Sequence, residues 1–249
     1  MRASAKRTIC SIGSTDPTAA AGIGRDLGIF ERLGARGVFA VAAVTAQNSR
    51  SVSAVATVAP RVIAAQLRAI WQERKPDAIR VGLLPDAGGI RAVMRFLRKK
   101  AGRTPIVLDP VLAASSGRRF AGPTEVAALK RLMALCTIVT PNASEAQHLS
   151  GVTVRDAGGA ERAAHALAAI GPAVLVKGGH LRGSQVTDVL VDAGSVTRFR
   201  SRRIGSRLHG SGCTLAAALA VALARGEPLV RAVRFARRFV RAELMSRAG

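Results

Sequence analysis

The 249-residue chain has no tyrosine, one tryptophan and seven phenylalanines, so aromatics make up only 3% of it. Leucine, valine, isoleucine and alanine must fill the core of a chain that is 49% hydrophobic. Without an aromatic ladder beside its basic residues, the chain lacks the stacking platform of a single-strand nucleic-acid binder. Cysteine is scarce as well. Cys10, Cys136 and Cys213 stand far apart with no CxxC pair, which argues against a zinc or dithiol motif and points to reduced thiols in the cytoplasm. Residues 1–14 lack the apolar stretch of a secretory signal. The longest apolar run, Leu215 to Ala224, is too short to cross a bilayer. His148, His165, His180 and His209 show no metal-ligand spacing. No GxxxxGK[ST] phosphate loop and no GxSxG elbow occur, and Gly22, Gly24 and Gly28 miss the GxGxxG spacing.

Acidic residues are few: 15, against 38 basic ones, for a net charge of +23. The basic residues are spread along the chain, with only short pairs such as Lys99-Lys100 and Arg202-Arg203. This distribution predicts nonspecific, salt-sensitive attraction to polyanions and no specific nucleic-acid partner. An affinity for phosphorylated small molecules fits the charge equally well.

What the chain does contain is a regular alternation. "RTICSIG", "VFAVAAVTA", "DAIRVGLL", "PIVLDPV", "TIVTP" and "AVLVKGG" read as buried strands, and stretches with apolar residues at helical spacing separate them. Ile23, Leu27, Phe30 and Leu33 line one such stretch, and Pro60 opens another. Near-continuous apolar strands between helices predict an α/β protein: a three-layer αβα sandwich on a mainly parallel sheet. "VSAVATVAP" reads as an edge strand. "VTDVLVDAGSVTRFRSR" breaks the alternation and reads as an antiparallel hairpin around Asp192-Ala193-Gly194-Ser195. No linker interrupts the pattern, so a single domain over residues 1–249 is expected.

Ligands of open α/β sheets bind beyond the carboxyl ends of the strands, and the distinctive residues fall there. "HGSGCT" sets Gly210, Ser211 and Gly212 before a helix, where free N–H groups and the dipole favour an anion. The same setting would lower the pKa of Cys213 and let it take a proton from an attacking hydroxyl. A plain glycine-rich turn with a gap-filling cysteine reads equally well. "TPNASE" puts Asn142 and Glu145 in one first turn, as ligand contacts or as an ordinary helix cap. Asp109 ends an apolar strand, where it can hold Mg²⁺ through water or simply precede the turn at Pro110. Lys177 ends another strand, suited to a phosphate or to snorkelling at a strand end.

Taken in order, "GSTDPTAAAGIGRDL", "AVTAQNS", "VGLL", "VLDPVLAASSG", "TPNASEAQHLSG", "VKGGH" and "HGSGCT" resemble the hydroxymethylpyrimidine/phosphomethylpyrimidine kinase family of thiamine biosynthesis, within the ribokinase-like superfamily. The resemblance runs from about Thr8 to Leu244. It implies ATP-dependent phosphorylation of 4-amino-5-hydroxymethyl-2-methylpyrimidine or its monophosphate, with Mg²⁺, in a homodimer. Carried over, Asp26 and Gln47 contact the pyrimidine, and Ala21 and Leu83 form its apolar surroundings. Lys177, Asn142 and Ser211 fall on the nucleotide side, and Glu145 and Asp109 on the metal side. Gly210, Gly212 and Cys213 form the anion hole, with Cys213 at the position of the base. The chain departs from the family pattern at Ala19-Ala20, at Arg207-Leu208 before the glycine turn, and in its tail. A pyridoxal-type kinase, or a homologue that binds pyrimidine without turnover, are the alternatives.

Overall fold

The structure, a computed structural model, describes residues 6–48, 50–114, 116–181, 183–205 and 209–246. In chain order the elements are β1 (Thr8–Thr15), α1 (Gly22–Arg32), β2 (Arg36–Gln47), β3 (Val52–Thr57), α2 (Pro60–Glu73), β4 (Ala78–Val81), α3 (Ala87–Lys100), β5 (Ile106–Leu108), α4 (Pro123–Met133), β6 (Ile138–Val139), α5 (Ala143–Ser150), α6 (Ala157–Ala168), β7 (Ala173–Val176), β8 (Gln185–Asp192), β9 (Ser195–Arg202), α7 (Ser211–Ala224) and α8 (Leu229–Met245). The strands form one nine-stranded sheet in the order β3-β2-β1-β4-β5-β6-β7-β8-β9. β2, β1, β4, β5, β6 and β7 run parallel, as their apolar composition predicts. β3, β8 and β9 are antiparallel to their neighbours. The β8–β9 hairpin turns at Ala193 and Gly194, both with positive φ, and Asp192 pairs with Ser195. Two left-handed residues in a two-residue loop match the right-handed twist of the flanking strands.

The period-2 alternation of each strand divides the core. Cys10, Ile12, Ile79, Val81, Ile106 and Leu108 face a layer that takes in residues of α2 to α6. Ile9, Ala78 and Val107 face the other layer, made of α1, α7 and α8. These two layers and the sheet make the expected αβα sandwich. α7 is apolar around its whole circumference because every residue from Thr214 to Ala222 is buried. Its run Ala216 to Ala218 carries only methyl side chains, which lets neighbouring elements approach closely.

One surface network ties the helical layer together. Glu243 of α8 accepts from Arg25 Nη2 at 2.9 Å and from Arg32 Nη2 at 2.6 Å, both from α1. Arg25 Nε also donates to Thr214 Oγ1 of α7 at 3.2 Å. The Arg32 hydrogen bond, with help from Arg25, holds the Glu243 carboxyl below its ordinary pKa. A carboxyl whose pKa is lowered on folding stabilises the fold above the unfolded value, about 4.3, and loses that contribution as pH falls through the folded value. Glu243→Gln should therefore lower Tm near pH 7 by about 2–8 °C, from a loss of about 1–2 kcal/mol. The gap between variant and wild type should close below about pH 4, which thermal melts across pH will check.

Candidate active site

β1 and β4 are neighbours in the sheet, yet the chain leaves β1 toward β2 on one side and returns to β4 on the other. At such a reversal the loops beyond the carboxyl ends diverge and open a crevice. The site assembles there from loops and from the start of α7.

The loop after β1 is organised by Asp16, a residue the sequence patterns did not single out. Its Oδ1 accepts from the Thr18 amide and hydroxyl at 2.9 and 2.8 Å, and its Oδ2 accepts from the Ala21 amide at 2.9 Å. Ala21 then caps α1 with extended backbone and no side-chain bond. This loop touches the turn before α7. A Cβ on Gly210 would stand 2.0 Å from the Ala20 carbonyl oxygen, and Gly210 itself has φ +77°. Both the close approach and the left-handed backbone demand glycine.

Gly210 caps α7 without a side chain, so no side chain of the cap occupies the first-turn N–H groups, whereas α3, α5 and α6 are capped by Asp86, Asn142 and Asp156. Ser211 begins the helix and Cys213 follows, half-buried. The backbone at Gly212 lies against a charged pair: a Cβ there would stand 3.0 Å from Lys177 Nζ and 3.6 Å from Asp109 Oδ2. Lys177 Nζ donates to Asp109 Oδ1 at 2.8 Å. Residues from the ends of β5 and β7 thus meet the start of α7.

The other candidates fall around this centre. Asn142 and Glu145 close a reciprocal cap: Asn142 Oδ1 accepts from the Glu145 amide at 2.9 Å, and Glu145 Oε2 accepts from the Asn142 amide at 2.7 Å. Asn142 also bridges to Lys177 in parallel β fashion, with the Lys177 amide donating to the Pro141 carbonyl. The ordinary capping role of "TPNASE" is present, and it brings Glu145 to the Lys177 side. Leu83 is buried in the loop after β4, and Gln47 ends β2, so both lie at the same end of the sheet as the turn. Asp26, the other expected pyrimidine contact, lies in α1 beside β1 and β4. It is fully buried, its Oδ2 accepting from Ser11 Oγ at 2.6 Å and pairing with Arg80 Nη1 at 3.2 Å. Arg207 and Leu208 lie outside the described residues.

The charges respond to one another. Burial raises the Asp109 carboxyl, but Lys177 and Arg80 outweigh it and hold Asp109 below its ordinary range. Burial would lower Lys177, yet Asp109 and Glu145 keep its pKa raised. Burial pushes Glu145 up to about 7, with Asp109 adding to the rise and Lys177 opposing it. Cys213 corrects an expectation. Its thiol is raised, because burial and the carboxylates of Asp109 and Asp26 outweigh Arg80 and the Gly22 amide. A helix start alone lowers a thiol pKa; here the neighbouring negative charges and the loss of water decide the sign.

An αβα sandwich with an uncapped glycine turn set against a lysine–aspartate pair beyond the carboxyl ends of its strands is the layout of a ribokinase-like phosphotransferase. The phosphomethylpyrimidine kinase family model matches residues 16–248. The hydroxymethylpyrimidine/phosphomethylpyrimidine kinase of Rhizobium meliloti is 39% identical over 94% of this chain and 89% of its own length. The phosphomethylpyrimidine kinase of Clostridium difficile superposes with TM-score 0.85 at 29% identity, covering 96% of this chain and all of that one. The pyridoxal kinase of Staphylococcus aureus, in complex with AMP-PCP and pyridoxal, superposes with TM-score 0.86 at 28% identity, covering 95% of this chain and 87% of its own. The chain belongs to the phosphomethylpyrimidine kinase family.

Proposed function

We propose that this protein transfers the γ-phosphoryl group of ATP to the hydroxymethyl oxygen of 4-amino-5-hydroxymethyl-2-methylpyrimidine, and then to the phosphate of the resulting monophosphate. The observation that carries this reading is the contact of the Gly210–Cys213 turn with the Lys177–Asp109 pair. Phosphoryl transfer asks a protein mainly for positioning and for relief of charge on the transferred group. The amides from Ser211 to Cys213 offer donors at a helix start, and Lys177 sets a positive charge beside them. In the first step the substrate oxygen bonds to the γ-phosphorus, the bond to the bridging oxygen breaks and ADP leaves. Cys213, in its thiolate form, takes the hydroxyl proton. Ala21, Leu83, Gln47 and Asp26 would surround the pyrimidine. Asn142 and Ser211 would border the nucleotide.

Glu145 and Asp109 would hold Mg²⁺. The chemistry of the donors fits: both are carboxylates, the hard oxygen ligands that Mg²⁺ takes, and both interact with Lys177. Bound Mg²⁺ offsets the charge of the phosphate chain. The nucleotide reading is further supported by the AMP-PCP complex of the pyridoxal kinase relative.

Three broader readings complete the proposal. One domain is supported by the single continuous sheet. A homodimer is part of the same reading; Phe39 and Val44 of β2 are 47% and 52% exposed. A cytoplasmic setting is supported by Cys10 and Cys136, both buried and unpaired. Among the described residues no helix is long and apolar enough to cross a membrane.

The test is ADP release from Mg-ATP with the pyrimidine alcohol, its monophosphate and pyridoxal in parallel. Turnover of both pyrimidines above pyridoxal is the expected result. A clear preference for pyridoxal would replace the substrate assignment, and no turnover with any of the three would leave a binding protein on a kinase fold.

A further inference from the structure

The turn that carries Lys177 is held by a carboxylate that the kinase reading does not use. β7 and β8 pair antiparallel through Val174, Leu175 and Val176, and the ladder stops there. The chain then turns through Gly178 to His180. The Lys177 amide donates to the Pro141 carbonyl at 2.8 Å. The Gly178 amide donates to a side chain instead: Asp188 Oδ1, in β8, accepts it at 2.7 Å in a buried bond. The backbone is pressed close at this point, since a Cβ on Gly178 would stand 2.0 Å from the Thr187 carbonyl oxygen.

Strand alternation gives Asp188 its direction. Leu190, two residues on, packs in the layer of α1, α7 and α8, whereas Val189 and Val191 pack in the other. Asp188 therefore points to the α8 side, where Arg237 Nε donates to its Oδ2 at 2.7 Å. The guanidinium is fixed in turn. Its Nη2 donates to the Phe199 carbonyl at 3.0 Å and to Ser201 Oγ at 3.3 Å, and its carbon lies 5.3 Å from the centre of the Phe199 ring. The Arg237 and Asp188 side chains are 13% and 10% exposed. Hydrogen bonds thus run from α8 through Asp188 to Gly178, one peptide bond from Lys177, and from Lys177 Nζ to Asp109 at 2.8 Å.

A neutral acceptor such as asparagine, or one more ladder carbonyl, would satisfy a single backbone amide. A buried ion pair adds little net stability, because desolvation offsets the attraction. What the pair adds is fixed geometry. A charged acceptor makes shorter and stronger hydrogen bonds than a neutral one, and the planar fork of a guanidinium sets their angle.

We propose that Asp188, braced by Arg237, is a positioning residue for phosphoryl transfer: it sets the Lys177–Gly178 backbone so that Lys177 Nζ meets Asp109 and the start of α7. Asp188 touches none of the reacting groups and acts through Lys177. A displacement of about 1 Å in such a constellation costs about 100-fold in rate. This inference rests on the kinase reading for its purpose, but the link from Asp188 to Lys177 can be read without turnover.

The experiment compares Asp188→Asn and Asp188→Ala, each alone and combined with Lys177→Met, all first shown to be folded by circular dichroism. If the alanine variant fails to fold, the asparagine variant, which keeps the shape and loses the charge, decides. One readout is acetylation of Lys177 by acetic anhydride, followed by mass spectrometry, in the chains that keep the lysine. Lys177 released from Asp109 should acetylate at least about 3-fold faster in either single variant. The other readout is steady-state kinetics with the pyrimidine alcohol. Asp188→Ala should lower kcat about 10- to 100-fold and Asp188→Asn about 5-fold, with KM for the alcohol within about 3-fold of wild type. Combined with Lys177→Met, the same changes should cost under about 2-fold more than Lys177→Met alone, because the residue they act through is gone. A purely structural role predicts the full loss in both backgrounds. That result, or acetylation at the wild-type rate, overturns the proposal. If wild type shows no turnover, the kinase reading fails, and faster acetylation alone upholds the link from Asp188 to Lys177.

Discussion

Cys213→Ala should lower kcat on the pyrimidine alcohol by about 10²- to 10⁴-fold, the range for loss of a general base. On the pyrimidine monophosphate the loss should be far smaller, under about 10-fold. The difference comes from the acceptors. A hydroxyl must lose its proton as it attacks, whereas a phosphate oxygen, with a second pKa near 6, is already deprotonated at pH 7.5. The amide of residue 213 survives the substitution, so the anion hole is retained in both reactions. Alanine is also the best helix former, and α7 already carries it along most of its length, so Tm should change little. Parallel ADP-release assays on the two substrates provide the comparison. Equal losses on both would show that the sulfur serves packing or phosphate binding and takes no proton. The raised thiol pKa adds a sign: with the thiolate as the proposed base, activity on the alcohol should climb as pH rises toward the thiol pKa. Activity on the monophosphate should lack that climb.

Lys177→Met should act on both reactions alike. Lys177 is bound to Asp109, lies against the Gly212 backbone and interacts with Glu145, so in the proposed reaction it would serve the transferred phosphate in either step. Removing one preorganised charge contact on a transferring group costs about 10²- to 10³-fold, or about 3–4 kcal/mol. The fold suffers as well. Methionine fills a similar space but leaves Asp109 with Arg80 alone and Glu145 without its lysine. Removing one partner of a buried pair costs about 3–5 kcal/mol, a fall in Tm on the order of 10 °C for a chain of this size. Kinetics on both substrates and a thermal melt measure the two effects. A uniform loss for Lys177→Met beside a selective loss for Cys213→Ala would separate charge stabilisation from proton transfer.

Much of this site is visible in the linear chain. Asp109, Asn142, Lys177 and Gly210 stand out because each follows an apolar strand or opens a helix, and local geometry controls what such positions can do. The Asn142–Glu145 cap is equally local, since both partners lie in one turn. Arg80 and Asp16 are harder to see. A signal for Arg80 existed: one arginine in an otherwise apolar strand, with a glycine two residues on. Its meaning depends on Asp26 and Asp109, which lie 54 and 29 positions away in the chain. Asp16 reads as one more polar loop residue until its hydrogen bonds to Thr18 and Ala21 are known.

The sequence by itself determined the elements, their alternation and therefore the layered sheet, because backbone periodicity and the burial of apolar side chains act over a few residues at a time. It also gathered the candidate residues at one end of the sheet. The tertiary structure alone decided the direction in which each charge of the site is shifted. Whether the Cys213 thiol is raised or lowered and what Asp26 and Arg80 pair with all depend on distance through space and on exclusion of water. Electrostatic energy varies with those two quantities, and neither is encoded in the spacing of residues along a chain.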